Sequence, residues 1–171
     1  MSSRRHTTLT TDLGDLLAVA EGEALVGLYF PSHWHPPKAG TTGPAVRPTG
    51  DPVFEATCRQ LAEYLGGERT AFDLRTATDG DAFSERVWTV LVTIPYGSTT
   101  TYGAIARELG APGLAQRVGQ AVGRNPVSIV IPCHRVVGAD GSLTGYAGGL
   151  DRKARLLALE EPAEIAASRL F

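Results

Sequence analysis

Short runs of apolar and β-branched residues occupy much of the first thirty positions, a pattern that predicts short strands. Turn-forming residues separate the runs and predict an antiparallel meander of strands over 7–11, 16–19 and 24–30. Six prolines then fall within residues 31–52. Because proline interrupts both helices and strand ladders, this segment is predicted to be a loop.

After this loop the apolar residues recur every three or four positions, which is the period of a helix. Asp51 can cap this helix and Pro52 can occupy its first turn, while Gly66 and Gly67 end it. Cys58 lies within the helix and is predicted to be a small core residue.

A short strand at 72–76 and a small polar linker at 77–80 complete the first half of the predicted fold. The pattern then becomes mainly helical. This change divides the chain into an amino-terminal α/β domain, residues 1–79, and a carboxyl-terminal domain, residues 80–171.

Three consecutive helices are predicted at the start of the second half. The first covers 83–94 and ends before Pro95, and two shorter ones cover 101–109 and 112–124 with a turn at Gly110 between them. Such a pair of short helices occurs in helix-turn-helix units and also in ordinary helix packing, so the pattern leaves both open.

The third of these helices is unusually rich in small residues, and glycine costs about 1 kcal/mol relative to alanine in a helix interior. Small side chains let the helix backbone approach another surface closely, either a strand or a nucleic-acid groove. The residues concerned are Gly113, Ala115, Gly119, Ala121 and Gly123.

A β-branched run over 126–132 predicts a buried strand that leads directly into Cys133. Asp140 and Gly141 form a strong hairpin-turn signal. Asp151 is expected to cap a last helix over 152–160. Its final residue, Glu160, is poorly matched to the helix dipole and either pairs with a cation such as histidine or is exposed.

Charge and composition narrow the class of protein. The net charge is -2, which argues against a generally basic nucleic-acid binder, yet residues 107–135 contain four arginines and one acid. This local excess indicates either a weak, salt-sensitive DNA contact or solvated surface arginines. The polar start of the chain and the lack of any apolar run near ~18 residues predict a protein that is neither secreted nor in a membrane.

The two cysteines give no disulfide framework and no paired metal motif, which favours a reducing cytoplasm. His33 and His35 flank a tryptophan in the proline-rich loop, and a metal site there would need further ligands, with Cys58 the obvious one. No metal and no cofactor is therefore predicted.

Candidate chemistry concentrates at Cys133, His134 and Arg135. A thiol attacks as the thiolate, and an imidazole or guanidinium beside it lowers the cost of that anion. Successive side chains of a strand point to opposite faces, so the chain must turn there or a water must connect the two groups. The competing interpretation is a buried structural cysteine with a histidine bonded to backbone.

The run 125–137, Asn-Pro-Val-Ser-Ile-Val-Ile-Pro-Cys-His-Arg-Val-Val, followed by Gly-Tyr-Ala-Gly-Gly at 145–149, closely resembles the O6-alkylguanine-DNA alkyltransferase family. The resemblance is dense over about residues 80–160 and faint before them. It implies an α+β fold with a ribonuclease-H-like amino-terminal domain, built from a small antiparallel sheet and a helix. The carboxyl-terminal domain would be mainly helical and winged-helix-like, with a helix-turn-helix.

The implied function is direct repair of double-stranded DNA. The protein would flip an O6-alkylguanine out of the duplex from the minor groove and move its alkyl group irreversibly to Cys133, in a single turnover. His134 would take the thiol proton through a water, Glu160 would orient the imidazole, and Asn125 would brace the turn before the cysteine. A cytoplasmic monomer, associated with the nucleoid in a bacterium, is expected, and cooperative binding to DNA is left open.

The resemblance also assigns the base pocket. Tyr102 would rotate the 3′ phosphate and bond the base, the Val136 carbonyl would read the exocyclic amine, and the backbone of Tyr146 and Ala147 would bond O6. The DNA contacts would come from the small-residue helix: Gln116, Arg117, Gly119, Val122 and Arg124.

One departure from the family lies on this helix. Relatives usually carry an arginine at the position of Gln116, where it fills the gap left by the flipped base, whereas the arginine here is Arg117. A shift of one residue turns a side chain by about 100°. Gln116 is therefore predicted to bond into the gap, with weaker duplex binding.

Two other functions compete with alkyl transfer. A lesion sensor or transcriptional regulator would bind DNA without repairing it, but relatives of that type replace the reactive cysteine. A cysteine hydrolase would need an oxyanion hole and multiple turnovers.

Overall fold

The computed structural model of the protein describes residues 3–169. Its first element is the predicted meander, with β1 at Arg4–Thr11, β2 at Gly14–Glu21 and β3 at Ala24–Tyr29. All pairings are antiparallel in the order β1-β2-β3. Each strand contributes buried side chains to the core, including Leu9 of β1, Leu16 of β2 and Leu28 of β3.

The predicted first helix is confirmed as α1, Pro52–Leu65, with the Asp51 carboxylate accepting from the backbone N–H groups of residues 53 and 54. Its buried face carries Phe54, Leu61 and Tyr64. The prediction for Cys58 is wrong, because this side chain is exposed. It is turned about 100° from the fully buried Thr57 and so falls outside the face that packs on the sheet.

Residues 31–51 of the proline-rich segment form a loop, as predicted, and Pro52 already belongs to α1; the loop is attached to the sheet. Ala45 forms a parallel bridge with His6, whose N–H donates to the Pro44 carbonyl at 3.0 Å. The predicted strand at 72–76 is wrong, since only Thr76 bridges to Leu25.

The helices of the second half agree with the prediction in order and differ at their ends. Helix α2 is Ala82–Leu91 and stops a turn earlier than predicted, because residues 92–94 form a turn. Helix α3, Tyr102–Glu108, is capped by the Thr101 hydroxyl as predicted. Helix α4, Ala115–Gly123, follows a 3₁₀ turn at Pro112–Leu114, and it packs on both α2 and α3.

The predicted strand at 126–132 is wrong. Val127 makes a single bridge to Leu28 of β3, after which Ile129 adopts a positive φ of 72° and the chain doubles back. The Ile131 N–H then donates to the Val127 carbonyl at 2.9 Å. The apolar run is buried, as expected, but as a tight turn.

Two short strands bring the far ends of the second half together. Strand β4, Thr100–Thr101, pairs in parallel with β5, Val136–Val137. The turn at Asp140 and Gly141 is present, with the Gly138 N–H donating to the Ser142 carbonyl at 2.9 Å. It closes no hairpin, because the strand before it pairs with β4.

Helix α5 is Leu150–Glu160 and begins before Asp151, so the predicted cap is wrong and Gly149, with φ of 92°, occupies that position. A sixth helix, α6 at Ala163–Ser168, was not predicted. One continuous cluster of buried apolar side chains contains residues from both halves of the chain. The domain division near residue 79 stays a prediction. Within the described residues, none of the helices has the length and apolar character that crossing a membrane would require.

Candidate functional site

Asn125 holds the tight turn that leads to Cys133. Its side chain is buried, its Nδ2 donates to the Ile131 carbonyl at 2.8 Å, and its Oδ1 accepts from the Val127 N–H at 3.0 Å. One amide thus spans the turn around Ile129, where a β-branched residue at positive φ is strained. The turn connects the end of α4 rigidly to the cysteine.

Cys133 begins a 3₁₀ turn, Cys133–Arg135, so the chain does bend at the Cys-His pair. The thiol is 4% exposed, and burial raises its pKa to about 11, although the Asn125 side chain and Lys153 act in the opposite direction. At neutral pH the sulfur is therefore protonated. A base must remove its proton before it can attack.

His134 is fully buried and its Nε2 lies 2.8 Å from Oε1 of Glu160. Burial lowers the pKa of His134, with Glu160 opposing the shift, so the imidazole is neutral. Since the carboxylate accepts, Nε2 carries the hydrogen and Nδ1 presents a lone pair. Nδ1 has no hydrogen-bond partner among the described protein atoms, which makes it the atom able to accept a proton.

Glu160 is paired with the cation of Arg135, which agrees with the first of the two alternatives that its position at the helix end left open. Arg135 donates to both of its oxygens at 2.8 Å, and the Tyr64 hydroxyl donates to Oε1 at 2.6 Å. Burial alone would raise the pKa of Glu160, but the hydrogen bonds from His134, Arg135 and Tyr64 outweigh it and bring the pKa to about 2. The carboxylate is ionised at all ordinary pH values.

This network corrects the prediction for Arg135. Its guanidinium was expected to stabilise the Cys133 thiolate directly, but its described hydrogen bonds go to Glu160 and to the Ile94 carbonyl. Tyr64 was missed altogether, because it lies 96 residues from Glu160 and looks like an ordinary member of the apolar face of α1.

Lys153 is a second residue that the sequence did not single out. Its side chain is fully buried, and Nζ donates to the carbonyls of Thr144 at 2.8 Å and Gly145 at 3.4 Å. Burial lowers the pKa of Lys153 to about 8, while the nearby Cys133 acts to raise it. The sequence did contain a signal for this residue: Lys153 lies one helical turn before Leu156, on a face that apolar residues normally occupy.

The residues predicted to form the base pocket lie around one loop, residues 144–149, which we call the substrate loop. Tyr146 and Ala147 are buried, and the pKa of Tyr146 is raised well above its usual value by burial and by the neighbouring Cys133. The Tyr102 and Thr144 hydroxyl oxygens lie 3.0 Å apart. Val136 is buried in β5, next in the chain to the turn that holds Cys133.

Helix α4 presents an exposed face beside this loop. Gln116 is exposed, and Gly119, one turn later, lies against the Tyr102 ring, where an added Cβ would be 3.6 Å from Cδ1. Arg124 is exposed at the end of the helix. Val122, predicted to contact DNA, is buried against the core, so that prediction is wrong for its side chain.

Arg117 stacks over the Phe83 ring of α2, with its guanidinium carbon 4.2 Å from the ring centroid. This contact directs it toward α2, away from the side of α4 that carries Gln116 and Gly119. The arginine of this helix lies one residue after Gln116, and the side chains of Gln116 and Arg117 therefore occupy different faces, as expected.

The proline-rich loop has no arrangement suited to a metal. Within residues 3–169, no three or more His, Cys, Asp and Glu side chains are grouped closely enough to hold an ion. His33 is buried and accepts from the Phe30 N–H at 3.4 Å, whereas His35 is exposed.

Comparison with known proteins identifies the family. A family model described as the DNA binding domain of 6-O-methylguanine DNA methyltransferase matches residues 82–162. A methylated-DNA–protein-cysteine methyltransferase of Mycobacterium bovis is 42% identical over 175 residues, which cover 97% of this chain and 98% of the relative. The chain belongs to the methylated-DNA–protein-cysteine methyltransferase family.

Two further comparisons agree with this membership. A methyltransferase of the same name from Mycolicibacterium paratuberculosis is 54% identical over 119 residues, 70% of this chain and 72% of the relative. The crystal structure of Mycobacterium tuberculosis OGT in complex with DNA is 40% identical, has a TM-score of 0.82, and covers 94% of this chain and 97% of that one. The family resemblance and the α+β fold class predicted from the sequence are confirmed.

Proposed function

We propose that this methyltransferase repairs DNA directly, by moving the alkyl group of an O6-alkylguanine onto Cys133 in a single, irreversible turnover. The observation that carries the proposal is the buried chain from Glu160 to His134. An ionised carboxylate holds a neutral imidazole through Nε2, and Nδ1 is left as a proton acceptor in the residue next to a protonated thiol.

The chemical step balances without any cofactor. The thiol proton passes through a water to His134 Nδ1, and the thiolate attacks the alkyl carbon. A sulfur–carbon bond forms as the carbon–O6 bond breaks, and the electron pair of that bond stays on the guanine, which then takes up one proton. Because the thioether is stable, Cys133 is consumed, and each chain acts once.

A base inside a duplex cannot present O6 to a buried sulfur, so the guanine must leave the stack, at a cost of a few kcal/mol. The substrate loop supports this step, because backbone N–H groups of Tyr146 and Ala147 can bond O6 while Tyr102 and the Val136 carbonyl bond the rest of the base. The nearby small-residue face of α4 suits close approach to the minor groove, where readout of sequence is weak.

Gln116 is the residue proposed to fill the gap left by the flipped base. Its exposure on the face of α4 that carries Gly119 supports this role. The nearest arginine, Arg117, stacks on Phe83 and is therefore not proposed to fill the gap. Gly119 and Arg124 complete the proposed DNA contacts of this helix. The monomeric state and cytoplasmic location stay predictions.

The decisive test is mass spectrometry after incubation with a duplex oligonucleotide containing O6-methylguanine. We expect one methyl group per chain, located on the Cys133 peptide, and none in Cys133→Ser. Methyl transfer by Cys133→Ser would refute the proposal. Binding of the lesion without transfer by the wild type would favour a lesion sensor instead.

A further inference from the structure

The substrate loop is packed against aromatic residues of the amino-terminal half. Gly145 lies under the Trp34 ring, so that an added Cβ would be 3.0 Å from Cη2 and 3.1 Å from Cζ3. Trp34 is nevertheless 60% exposed, so one part of its ring covers the loop while the rest faces solvent. No hydrophobic core requires a tryptophan at that position.

The other end of the loop is held in a similar way. The ring of Phe30 fills the space where a side chain on Gly148 would be, and it also packs edge-on against Tyr146 with a centroid distance of 5.7 Å. The Arg152 guanidinium lies over the Phe30 ring, 5.3 Å from its centroid, and donates to the carbonyls of Gly148 at 3.0 Å and Leu13 at 2.7 Å.

These contacts fall on both sides of Tyr146 and Ala147, the two residues whose backbone would bond O6. A loop containing three glycines has few side chains with which to fix its own position. The segment that carries the rings is anchored by the buried His33, which accepts from the Phe30 N–H at 3.4 Å. The rings therefore supply the packing that the loop lacks.

We propose that Trp34 and Phe30 are positioning residues for alkyl transfer, which clamp the substrate loop from the amino-terminal half and hold its backbone at O6. This inference rests on the proposed function. It makes the amino-terminal half part of the reaction geometry, although all the residues predicted to be catalytic lie in the other half. Misplacing a reacting group by about 1 Å can cost up to 100-fold in rate.

Trp34 allows a clean test because it is exposed and its loss leaves the core intact. Single-turnover transfer from O6-methylguanine duplex DNA is measured at increasing protein concentration for the full chain. We expect Trp34→Ala to lower the saturating rate about tenfold and leave the half-saturating concentration within about twofold of wild type. Trp34→Phe should recover most of the rate, and the exposed neighbour His35→Ala serves as the matched control.

If Trp34→Ala instead raises the half-saturating concentration at an unchanged saturating rate, the ring is a DNA contact and the clamp is refuted. A rate equal to wild type at every concentration refutes it as well. Failure of the wild type to take up a methyl group on Cys133 would overturn the proposed function, so the two failures are distinguishable.

A second measurement tests the contact itself. Gly145→Ala adds a methyl group 3.0 Å from the Trp34 ring, so the ring and the loop must move apart by a few tenths of an ångström and transfer should slow in the wild-type background. In a Trp34→Ala background the space is open, and the same substitution should have little further effect. Equal fold-changes in the two backgrounds would show that ring and loop are not coupled and would contradict the clamp.

Discussion

At the scale of single residues, the reaction depends on where protons reside in a buried site. The thiol of Cys133 keeps its proton because burial disfavours the anion, and His134 stays neutral for the corresponding reason. Glu160 remains ionised because its donors outweigh the same effect. Burial and hydrogen bonding thus leave His134 Nδ1 as a proton acceptor, in the residue directly after Cys133.

This arrangement predicts the pH dependence of transfer. With His134 as the proton acceptor, the rate should be nearly constant from neutral pH upward and should fall only below ~6.5, the usual histidine pKa, because the pKa of His134 is lowered. In His134→Gln the rate should be lower and should rise about tenfold per pH unit, since the thiol pKa is about 11. Quench-flow measurements across pH check both profiles, and identical profiles would contradict the role of His134.

The low pKa of Glu160 also makes the stability of the folded protein depend on pH in the acid range. Its pKa falls from 4.5 to about 2 on folding, so its contribution is fully present above the unfolded value and is lost as pH falls toward about 2. The shift corresponds to about 3 kcal/mol. Urea unfolding at pH 7 and pH 3 should therefore show a smaller loss for Glu160→Gln than for wild type. An equal loss in both proteins would count against the pairing.

At the scale of elements, helix α4 and the turn after it form one rigid unit. The helix packs on α2 and α3 through Val118, Ala121 and Val122, and Asn125 continues it into the turn that carries Cys133. The helix proposed to contact DNA through its exposed face is thus joined directly to the turn that carries the sulfur. Within its small-residue sequence, Gly119 lies against the Tyr102 ring, whereas Gly123 has no neighbouring atom within 4 Å of an added Cβ.

Gln116, an exposed residue of this helix, gives a prediction about transfer from duplex DNA. Gln116→Arg should place a longer, charged side chain at the gap left by the base and should increase the transfer rate on duplex DNA several-fold, because an added cation near the phosphates strengthens binding. Gln120→Arg adds the same charge one turn later and is the matched control. An unchanged or slower rate for Gln116→Arg, or equal gains in both variants, would contradict the role of Gln116.

At the scale of the whole molecule, the two halves of the chain meet at the carboxylate of Glu160. Tyr64 belongs to α1 in the first half, yet its hydroxyl donates to Glu160 at 2.6 Å. The desolvated phenol has a pKa raised well above its usual value and therefore remains a donor. The amino-terminal half thus contributes both to the carboxylate and, through Phe30 and Trp34, to the packing of the substrate loop.

Tyr64→Phe tests this connection with a minimal change in shape. Loss of one buried hydrogen bond to a charged group should lower the free energy of unfolding by about 1.5–3 kcal/mol, as measured by urea denaturation. Thr8→Val in β1, an exposed position with a comparable change in polarity, serves as a control. A stability equal to wild type would mean that the hydroxyl contributes nothing to the site.

The sequence by itself determined the meander, the capped helices and the identity of the reactive group. These features depend on local physics: short apolar and β-branched runs between turn residues for β1–β3, the Asp51 and Thr101 caps, and a thiol next to an imidazole. Glu160 could also be expected to have a cationic partner, because a carboxylate at a helix end is unfavourable there. The motif around Cys133 then identified the family.

The tertiary structure alone decided which distant groups meet. The apolar run 126–132 has the composition of a strand, but Asn125 and the positive φ of Ile129 make it a turn. Tyr64 and Trp34 have ordinary local surroundings in the sequence, and their partners lie in remote segments. A local sequence pattern predicts a helix or strand because the residues that form it are neighbours in the chain. Long-range contacts depend on how the helices and strands pack, which no single segment encodes.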